Sequence, residues 1–156
     1  MKKFIFIMIV IMLLSCTNKK ENIIQEDVSP GNKYFKNYIN NELTNKLSNK
    51  IVMQGDSIAY LELKDIYFLS GHQKEFLYYS MVMAEKFNYP DGYYTTYFLL
   101  STTVINDKNW KINKIANYYL IKANEAGHTN VASNLKERFK NKIIPKSNDF
   151  WLEINK

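Results

Sequence analysis

From Tyr34 onward, apolar residues recur every three or four positions, and this spacing constrains the fold more than any other feature of the chain. Such spacing places apolar side chains on one face of an α-helix, whereas a half-buried strand would alternate apolar and polar residues. Strand-like alternation is weak throughout this sequence. The pattern therefore predicts an all-α domain built from several amphipathic helices.

Turn-forming and capping residues divide this pattern into predicted helices. These cover approximately residues 34–48, 57–70, 76–87, 93–105, 112–126 and 129–144. We expect Gly127 to end the fifth helix, Thr129 to cap the sixth and Pro145 to end it. The apolar residues at 150–152 are expected to cover the last helices.

The breaks between these helices are nearly periodic. Gly55, Gly92 and Gly127 lie 37 and 35 residues apart, close to the length of one helix–turn–helix repeat. A shift of 40 positions also places the Tyr78–Tyr79 pair on the Tyr118–Tyr119 pair. Because one pair of helices cannot bury its own apolar face, neighbouring pairs must stack to complete the core.

The segment ANYYLIKANEAGHTNVASNL, residues 116–135, resembles the Sel-one-like branch of the tetratricopeptide superfamily. The residues that match its pattern are Ala116, Tyr119, Lys122, Ala123, Gly127, His128 and Ala132. The middle unit departs from it, since Tyr93 replaces an alanine and Met83 stands where Ala123 does. The resemblance covers roughly residues 55–141. It implies a short α/α solenoid of about two and a half repeats, whose relatives bind proteins or peptides and generally lack catalysis.

A separate feature precedes this domain. Lys2 and Lys3 are followed by an uninterrupted apolar run from Phe4 to Leu14. Eleven residues at a rise of about 1.5 Å are too few to span a hydrocarbon core of about 30 Å. A basic start, a short apolar run and a small residue after it are typical of a secretory signal peptide.

The apolar run ends in Leu13, Leu14, Ser15 and Cys16, which resembles the lipobox of bacterial lipoproteins. The resemblance implies that a signal peptidase recognises Leu13, Leu14 and Ser15 and cleaves before Cys16. It also implies that Cys16 carries a diacylglycerol thioether and an acylated amino group, for example a palmitate. Since Cys16 is the only cysteine, no thiol is then left for a disulfide, catalysis or a metal site. The alternatives are a signal peptide without lipidation, followed by a chance cysteine, and a helix retained in the membrane.

This interpretation divides the chain into a signal peptide (residues 1–15), a lipidated flexible tether (residues 16–33) and a helical repeat domain (residues 34–156). The tether is polar and contains the sequence SPGN at 29–32, which is typical of a linker. Two or more acyl chains anchor a protein stably, whereas one binds marginally. The predicted location is the bacterial cell envelope, facing either the periplasm or the cell surface.

Charge and motifs exclude several classes of function. The 21 basic and 15 acidic residues are spread along the chain without long blocks of like charge, and Arg138 is the only arginine. A nucleic-acid-binding protein is therefore not expected. The sequence has no phosphate-binding glycine loop, nucleophile elbow or metalloprotease motif. His72 and His128, the only histidines, lack ligand spacing and are expected to be capping or solvated turn residues. We therefore predict no enzyme activity, cofactor or metal.

The chain contains twelve tyrosines, several of them in adjacent pairs whose members point about 100° apart on a helix. In solenoids of this kind the first helix of each pair lines the concave side. The stripe next to the core positions there is Tyr60, Lys64, Tyr67, Tyr94, Phe98 and Ser101. Because tyrosine is favoured in protein-binding hot spots, this stripe is predicted to bind a protein or peptide. The alternative is that the aromatic residues only pack between repeats, with their hydroxyls hydrogen bonded at the edge.

The sequence leaves two classes of function open. The first is a membrane-tethered module that binds another protein or a peptide, and its most specific form is an immunity protein that neutralises a toxin delivered by a neighbouring bacterium. The second is a structural or assembly accessory of a cell-envelope complex. In both classes the lipid on Cys16 attaches the protein to a membrane.

Overall fold

The computed structural model describes residues 29–102, 110–140 and 142–156, which form eight α-helices and no β-strand. The predicted all-α class is thereby confirmed. The helices are α1 (Pro30–Tyr38), α2 (Asn41–Gln54), α3 (Ser57–Leu69), α4 (Leu77–Phe87), α5 (Pro90–Thr102), α6 (Trp110–Glu125), α7 (Ala132–Phe139) and α8 (Ser147–Ile154). Short 3₁₀ turns at Gln73–Phe76 and Thr129–Val131 precede α4 and α7. The predicted signal peptide, Cys16, the tether up to residue 28 and the predicted helix end at 103–105 lie outside the described residues.

The predicted continuous helix over residues 34–48 is wrong, because the chain breaks at Asn40 into α1 and α2. Asn40 has extended backbone angles, and its Oδ1 accepts a hydrogen bond from the Leu43 amide at 3.1 Å. An asparagine that caps one helix in this way ends the helix before it. α1 also begins earlier than expected, since Ser29 caps it and Pro30 occupies its first position.

The predictions for the other capping residues are partly confirmed. Asp56 caps α3, with its Oδ1 accepting hydrogen bonds from the next helical amides, and Gly55 ends α2 in the left-handed conformation at φ 67°. The helix predicted over residues 129–144 corresponds to α7 and differs from its prediction in two respects. His128, and not Thr129, caps the turn before α7, and α7 ends at Phe139, before Pro145.

Two clusters of buried apolar side chains form most of the core. The N-terminal cluster contains Leu47, Ile51, Ala59, Tyr60, Leu63, Ile66, Phe76, Met83 and Leu99. The C-terminal cluster contains Ala84, Tyr93, Tyr97, Leu100, Ala116, Tyr119, Leu120, Ala123, Val131 and Leu135. α5 contributes side chains to both clusters, so it is buried on most of its circumference and lies at the centre of the domain.

Small residues allow α5 to pack very closely against α4. A Cβ atom on Gly92 would lie 2.7 Å from the backbone nitrogen of Ala84 and 3.0 Å from the carbonyl carbon of Met83. Nearby, the buried Thr96 Oγ1 lies within hydrogen-bonding distance of the Gly92 carbonyl oxygen, at 2.8 Å, and of Ser80 Oγ, at 3.0 Å. This interface therefore has no room for a side chain at position 92.

The helices contact elements that are close in the sequence. α1 and α2 pack on α3, α4 packs on α5, and α6 packs on α5, α7 and α8. Of the apolar residues predicted to cover the last helices, Phe150 is buried against Ile121 of α6, whereas Trp151 and Leu152 are exposed. Within the ranges described, no helix has both the length and the apolar composition that a bilayer crossing requires.

Candidate binding face

Residues of α3 and α5 and of the turn before α7 meet on one side of the domain. We call this surface the aromatic face, defined by Lys64, Phe68, Asp91, Tyr94, Phe98 and His128. The rings of Phe68 and Phe98 stack across the two helices, with centroids 6.0 Å apart and an interplanar angle of 29°. The rings of Tyr94 and His128 stack at 4.4 Å and 17°. Ring contacts therefore connect the three elements in series.

A shallow cleft of about 230 Å³ opens between α3 and α5 on this face. It is lined by Lys64, Phe68, Tyr94, Thr95 and Phe98. The Phe98 side chain is 36% exposed, although it is a large aromatic group in contact with another. The lining of the cleft thus combines aromatic rings with a few polar groups, as binding sites commonly do.

The Asp91 carboxylate joins the three elements by polar contacts. Its Oδ2 lies 2.7 Å from Lys64 Nζ and accepts a hydrogen bond from Thr95 Oγ1 at 3.3 Å. Its Oδ1 lies 3.5 Å from His128 Nε2. Because the Lys64 and Asp91 side chains keep 24% and 22% of their exposure, the ion pair contributes on the order of 1 kcal/mol or less. Its main consequence is positional, since one carboxylate fixes α3 and the turn at His128 relative to α5.

The capping role of His128 also sets the direction of its ring. The Nδ1 atom accepts a hydrogen bond from the Asn130 amide at 3.3 Å, so in the neutral ring the proton is on Nε2, which faces Asp91. The predicted role of this histidine as a capping residue is therefore confirmed.

A second line of contacts connects α5 to α7. Asn134 Nδ2 donates a hydrogen bond to the Tyr97 hydroxyl at 3.1 Å, and the Arg138 guanidinium lies over the Tyr97 ring, 5.8 Å from its centroid. The Tyr94 hydroxyl lies 3.5 Å from Asn134 Oδ1. These contacts hold the edge of the aromatic face on the side of α7.

Three of the six residues predicted for the binding stripe come together on the aromatic face: Lys64, Tyr94 and Phe98. Tyr67 lies on another side of α3, where its ring contacts those of Tyr38 and Tyr79. Ser101 is half-buried, and its hydroxyl donates a hydrogen bond to the Tyr97 carbonyl at 2.6 Å. Neither residue lines the cleft between α3 and α5.

Tyr60 was predicted on the surface, and this is wrong because its side chain is fully buried. Its ring packs against Phe76 at 5.1 Å and Tyr89 at 5.4 Å, and its hydroxyl lies 3.5 Å from the Asp91 carbonyl oxygen. The outward side of α3 instead carries Leu61, which is 46% exposed. On α3 the structure therefore keeps Lys64 of the predicted stripe and places Leu61 and Phe68 beside it, where Tyr60 and Tyr67 were expected.

Sequence reasoning missed Phe68, Asp91 and the contribution of His128 to this face. A usable signal existed for Phe68, because it follows Lys64 by four positions and so lies on the same side of α3. Asp91 and His128 are 37 residues apart in the chain, and their contact depends on how the helices stack. No local pattern indicates that contact.

Burial in the structure also affects the protonation of several tyrosine hydroxyls. Burial raises the pKa of the Tyr60 hydroxyl well above its ordinary value. Burial raises the pKa of Tyr119 as well, with Glu85 adding a smaller effect. Burial also raises the pKa of Tyr67, and the nearby Tyr79 hydroxyl adds to that effect. These hydroxyls consequently stay protonated in the folded protein at pH values where an unfolded chain would lose the protons.

We therefore expect the free energy of unfolding to fall as the pH rises above about 10. Above that pH the unfolded chain binds fewer protons than the folded chain, so unfolding releases protons and becomes easier as the pH increases. Each fully protected tyrosine steepens this decline by about 1.4 kcal/mol per pH unit. Urea unfolding at a series of alkaline pH values measures the slope. Tyr119→Phe should make the slope shallower, whereas Tyr78→Phe, at a position that is 58% exposed, should not. Equal slopes in the two variants would contradict the assignment.

The aromatic face has the chemistry of a binding surface. It presents aromatic rings and paired charges on a rigid helical support. Among the described residues, no group of three or more His, Cys, Asp and Glu side chains is arranged to hold a metal ion. No protein-family model, curated protein or solved structure matches this chain.

Proposed function

We propose that this protein is a lipid-anchored, exported protein of the bacterial cell envelope that binds another protein or a peptide through the aromatic face. The observation that carries the proposal is the Phe68–Phe98 stack, which lines the cleft with Phe98 partly exposed. Exposed aromatic side chains next to a small number of polar groups are typical of interface hot spots.

The surroundings of this stack support binding. On α3, Leu61, Lys64 and Phe68 share one side of the helix, so the apolar surface continues beyond the cleft. The contact between Lys64 and Asp91 and the stacking of Tyr94 on His128 keep the neighbouring side chains in place. A partner would therefore meet side chains that are already ordered, which lowers the entropy cost of association.

The proposal includes a short α/α solenoid. In this arrangement α3, α5 and α7 are the first helices of successive pairs, and the aromatic face is the concave side. The contacts of Phe68 with Phe98 and of Tyr97 with Asn134 support it, because they join α3 to α5 and α5 to α7 on the same side. The resemblance of residues 116–135 to Sel-one-like repeats supports the same arrangement.

The partner that we favour is a toxin delivered by a neighbouring bacterium, which makes this chain an immunity protein. Its size, the proposed anchor at Cys16 and a surface suited to binding motivate this choice. Photo-crosslinking tests it, with benzoylphenylalanine replacing Phe98 and, as a control, replacing Leu152 on α8, which is 64% exposed. We expect one stoichiometric adduct from position 98 in solubilised membranes and none from position 152. Several envelope proteins attached at position 98 would instead identify a scaffold of a larger complex.

Phe98→Ala is expected to weaken partner binding at least thirtyfold, which corresponds to the loss of about 2 kcal/mol at a hot spot. The control Leu152→Ala removes a side chain that is more exposed and lies on α8, and it should leave the affinity unchanged. Titration calorimetry with the purified partner, once crosslinking has identified it, measures the affinity of each variant. Circular dichroism checks that both variants remain helical. Equal affinities for the two variants would show that the partner does not bind the aromatic face.

A further inference from the structure

The outer side of α1 is apolar and basic. Phe35 is 46% exposed and Ile39, directly after the helix, is 57% exposed. Lys33 and Lys36 are also exposed, and α1 contains no acidic residue. This outer side of α1 therefore carries apolar and basic side chains next to each other, and its apolar side chains are not part of the core clusters.

Contacts on the inner side fix the rotation of α1 about its axis. The Tyr38 ring stacks on His72 with centroids 3.7 Å apart and an angle of 11°. The Tyr38 hydroxyl donates a hydrogen bond to Glu75 Oε2 at 2.7 Å, and its ring meets the edge of Tyr67 at 5.3 Å. Because Tyr38 is held from three directions, the rotation of α1 leaves Ile39 exposed. Phe35 lies at the edge of this side, with its ring 6.1 Å from that of His72 and 46% of the residue exposed.

The position of α1 in the chain places it near a membrane if Cys16 carries lipid, so the inference that follows depends on the proposed anchor. Ser29, the capping residue of α1, follows Cys16 by 13 positions. A segment of this length reaches at most about 45 Å even when fully extended. α1 is thus the described helix nearest to the bilayer along the chain.

We infer that the outer side of α1 rests on the lipid surface to which the protein is anchored. Phe35 and Ile39 enter the interfacial region, and Lys33 and Lys36 lie among anionic headgroups. Apolar side chains flanked by lysines are the pattern by which helices lie in the membrane interface. The positive charge of α1 complements an anionic bilayer, and it would oppose the same surface of a second copy of this chain.

The inference is tested with the chain that begins at Cys16, which contains every described helix. Its thiol is coupled to a maleimide lipid in anionic vesicles, so that the tether is present whether or not the cell acylates this cysteine. Benzoylphenylalanine replaces Ile39 in one sample and Leu152 in the other, because both side chains are well exposed. After irradiation, mass spectrometry measures the fraction of protein that is crosslinked to phospholipid.

We expect lipid adducts from position 39 and few from position 152. Equal yields from the two positions, or no adduct from position 39, would overturn the inference. Lys33→Glu should lower the yield from position 39 at least fivefold on anionic vesicles, because it removes one positive charge and adds a negative one, whereas Lys146→Glu should leave it unchanged. Equal effects of the two charge reversals would also count against it. Failure of the natural anchor is detected separately, as the absence of lipid on Cys16 in protein isolated from cells.

Discussion

Replacement of Cys16 by alanine is expected to remove the protein from the membrane fraction almost completely. The proposed acyl chains are attached only at this residue, and stable anchoring requires at least two chains at about 0.8 kcal/mol per buried methylene group. This loss is measured on variant protein whose mass shows that residues 1–15 have been removed, because an uncleaved apolar run from Phe4 to Leu14 would itself hold the chain at the membrane. Membrane flotation, metabolic labelling with palmitate and the mass of the isolated protein measure these effects.

The matched control for this variant is Ser15→Ala, which keeps a small residue before the cysteine and should be lipidated normally. Cys16→Ala protein that still floats with the membranes after a high-salt wash would contradict the proposed anchor. It would favour the alternative that the apolar run from Phe4 to Leu14 is itself retained as a helix.

Gly92→Ala is expected to lower the free energy of unfolding by about 2–3 kcal/mol. Alanine is a better helix former than glycine by up to about 1 kcal/mol, so propensity alone would predict a gain. Packing decides the sign, because the new Cβ would lie 2.7 Å from the Ala84 nitrogen and the two helices would have to move apart. Urea unfolding followed by circular dichroism measures the change.

Gly31→Ala provides the comparison, since Gly31 also lies within a helix but has open space around it. The nearest atom to its added Cβ is the Leu69 carbonyl oxygen at 3.9 Å, an ordinary contact. This variant should be as stable as the natural chain, or more stable by up to about 1 kcal/mol. Equal destabilisation by both substitutions would mean that the close contact at Gly92 does not determine the packing of α5.

The break at Asn40 illustrates how far local patterns predict this fold. The apolar residues Phe35, Ile39, Leu43 and Leu47 keep a four-residue spacing across the break. Periodicity alone therefore predicts one helix. The capping hydrogen bond of Asn40 interrupts it, and asparagine is a recognised signal for that role. The predicted bounds of α3 and α4 agree with the structure to within one residue, because Asp56 caps the start of α3 and Asn88 ends α4. α8 was not predicted as a helix, and the residue before it makes no side-chain capping hydrogen bond.

The aromatic face was harder to predict because its geometry is not local. Tyr60 and Leu61 are both suited to a core, and periodicity does not decide which of them turns inward. Tyr60 is buried because Phe76 and Tyr89, from later parts of the chain, surround its ring. The contact of Asp91 with His128 likewise forms only after the helices have stacked. Lys64, Tyr94 and Phe98 lie together as expected, because their places on α3 and α5 follow from helical spacing, and their part in binding stays a prediction.

The contacts that join the helices have a kinetic consequence. The contacts of Lys64 with Asp91 and of Arg138 with Tyr97 span 27 and 41 residues, so they close short segments of the chain. Proteins dominated by such local contacts fold quickly, because little loop entropy is lost before each contact forms. The domain can therefore assemble in order from its N-terminal helices, each new helix closing on one already formed. Its tyrosine-rich interior then spends little time open to solvent and to other unfolded chains.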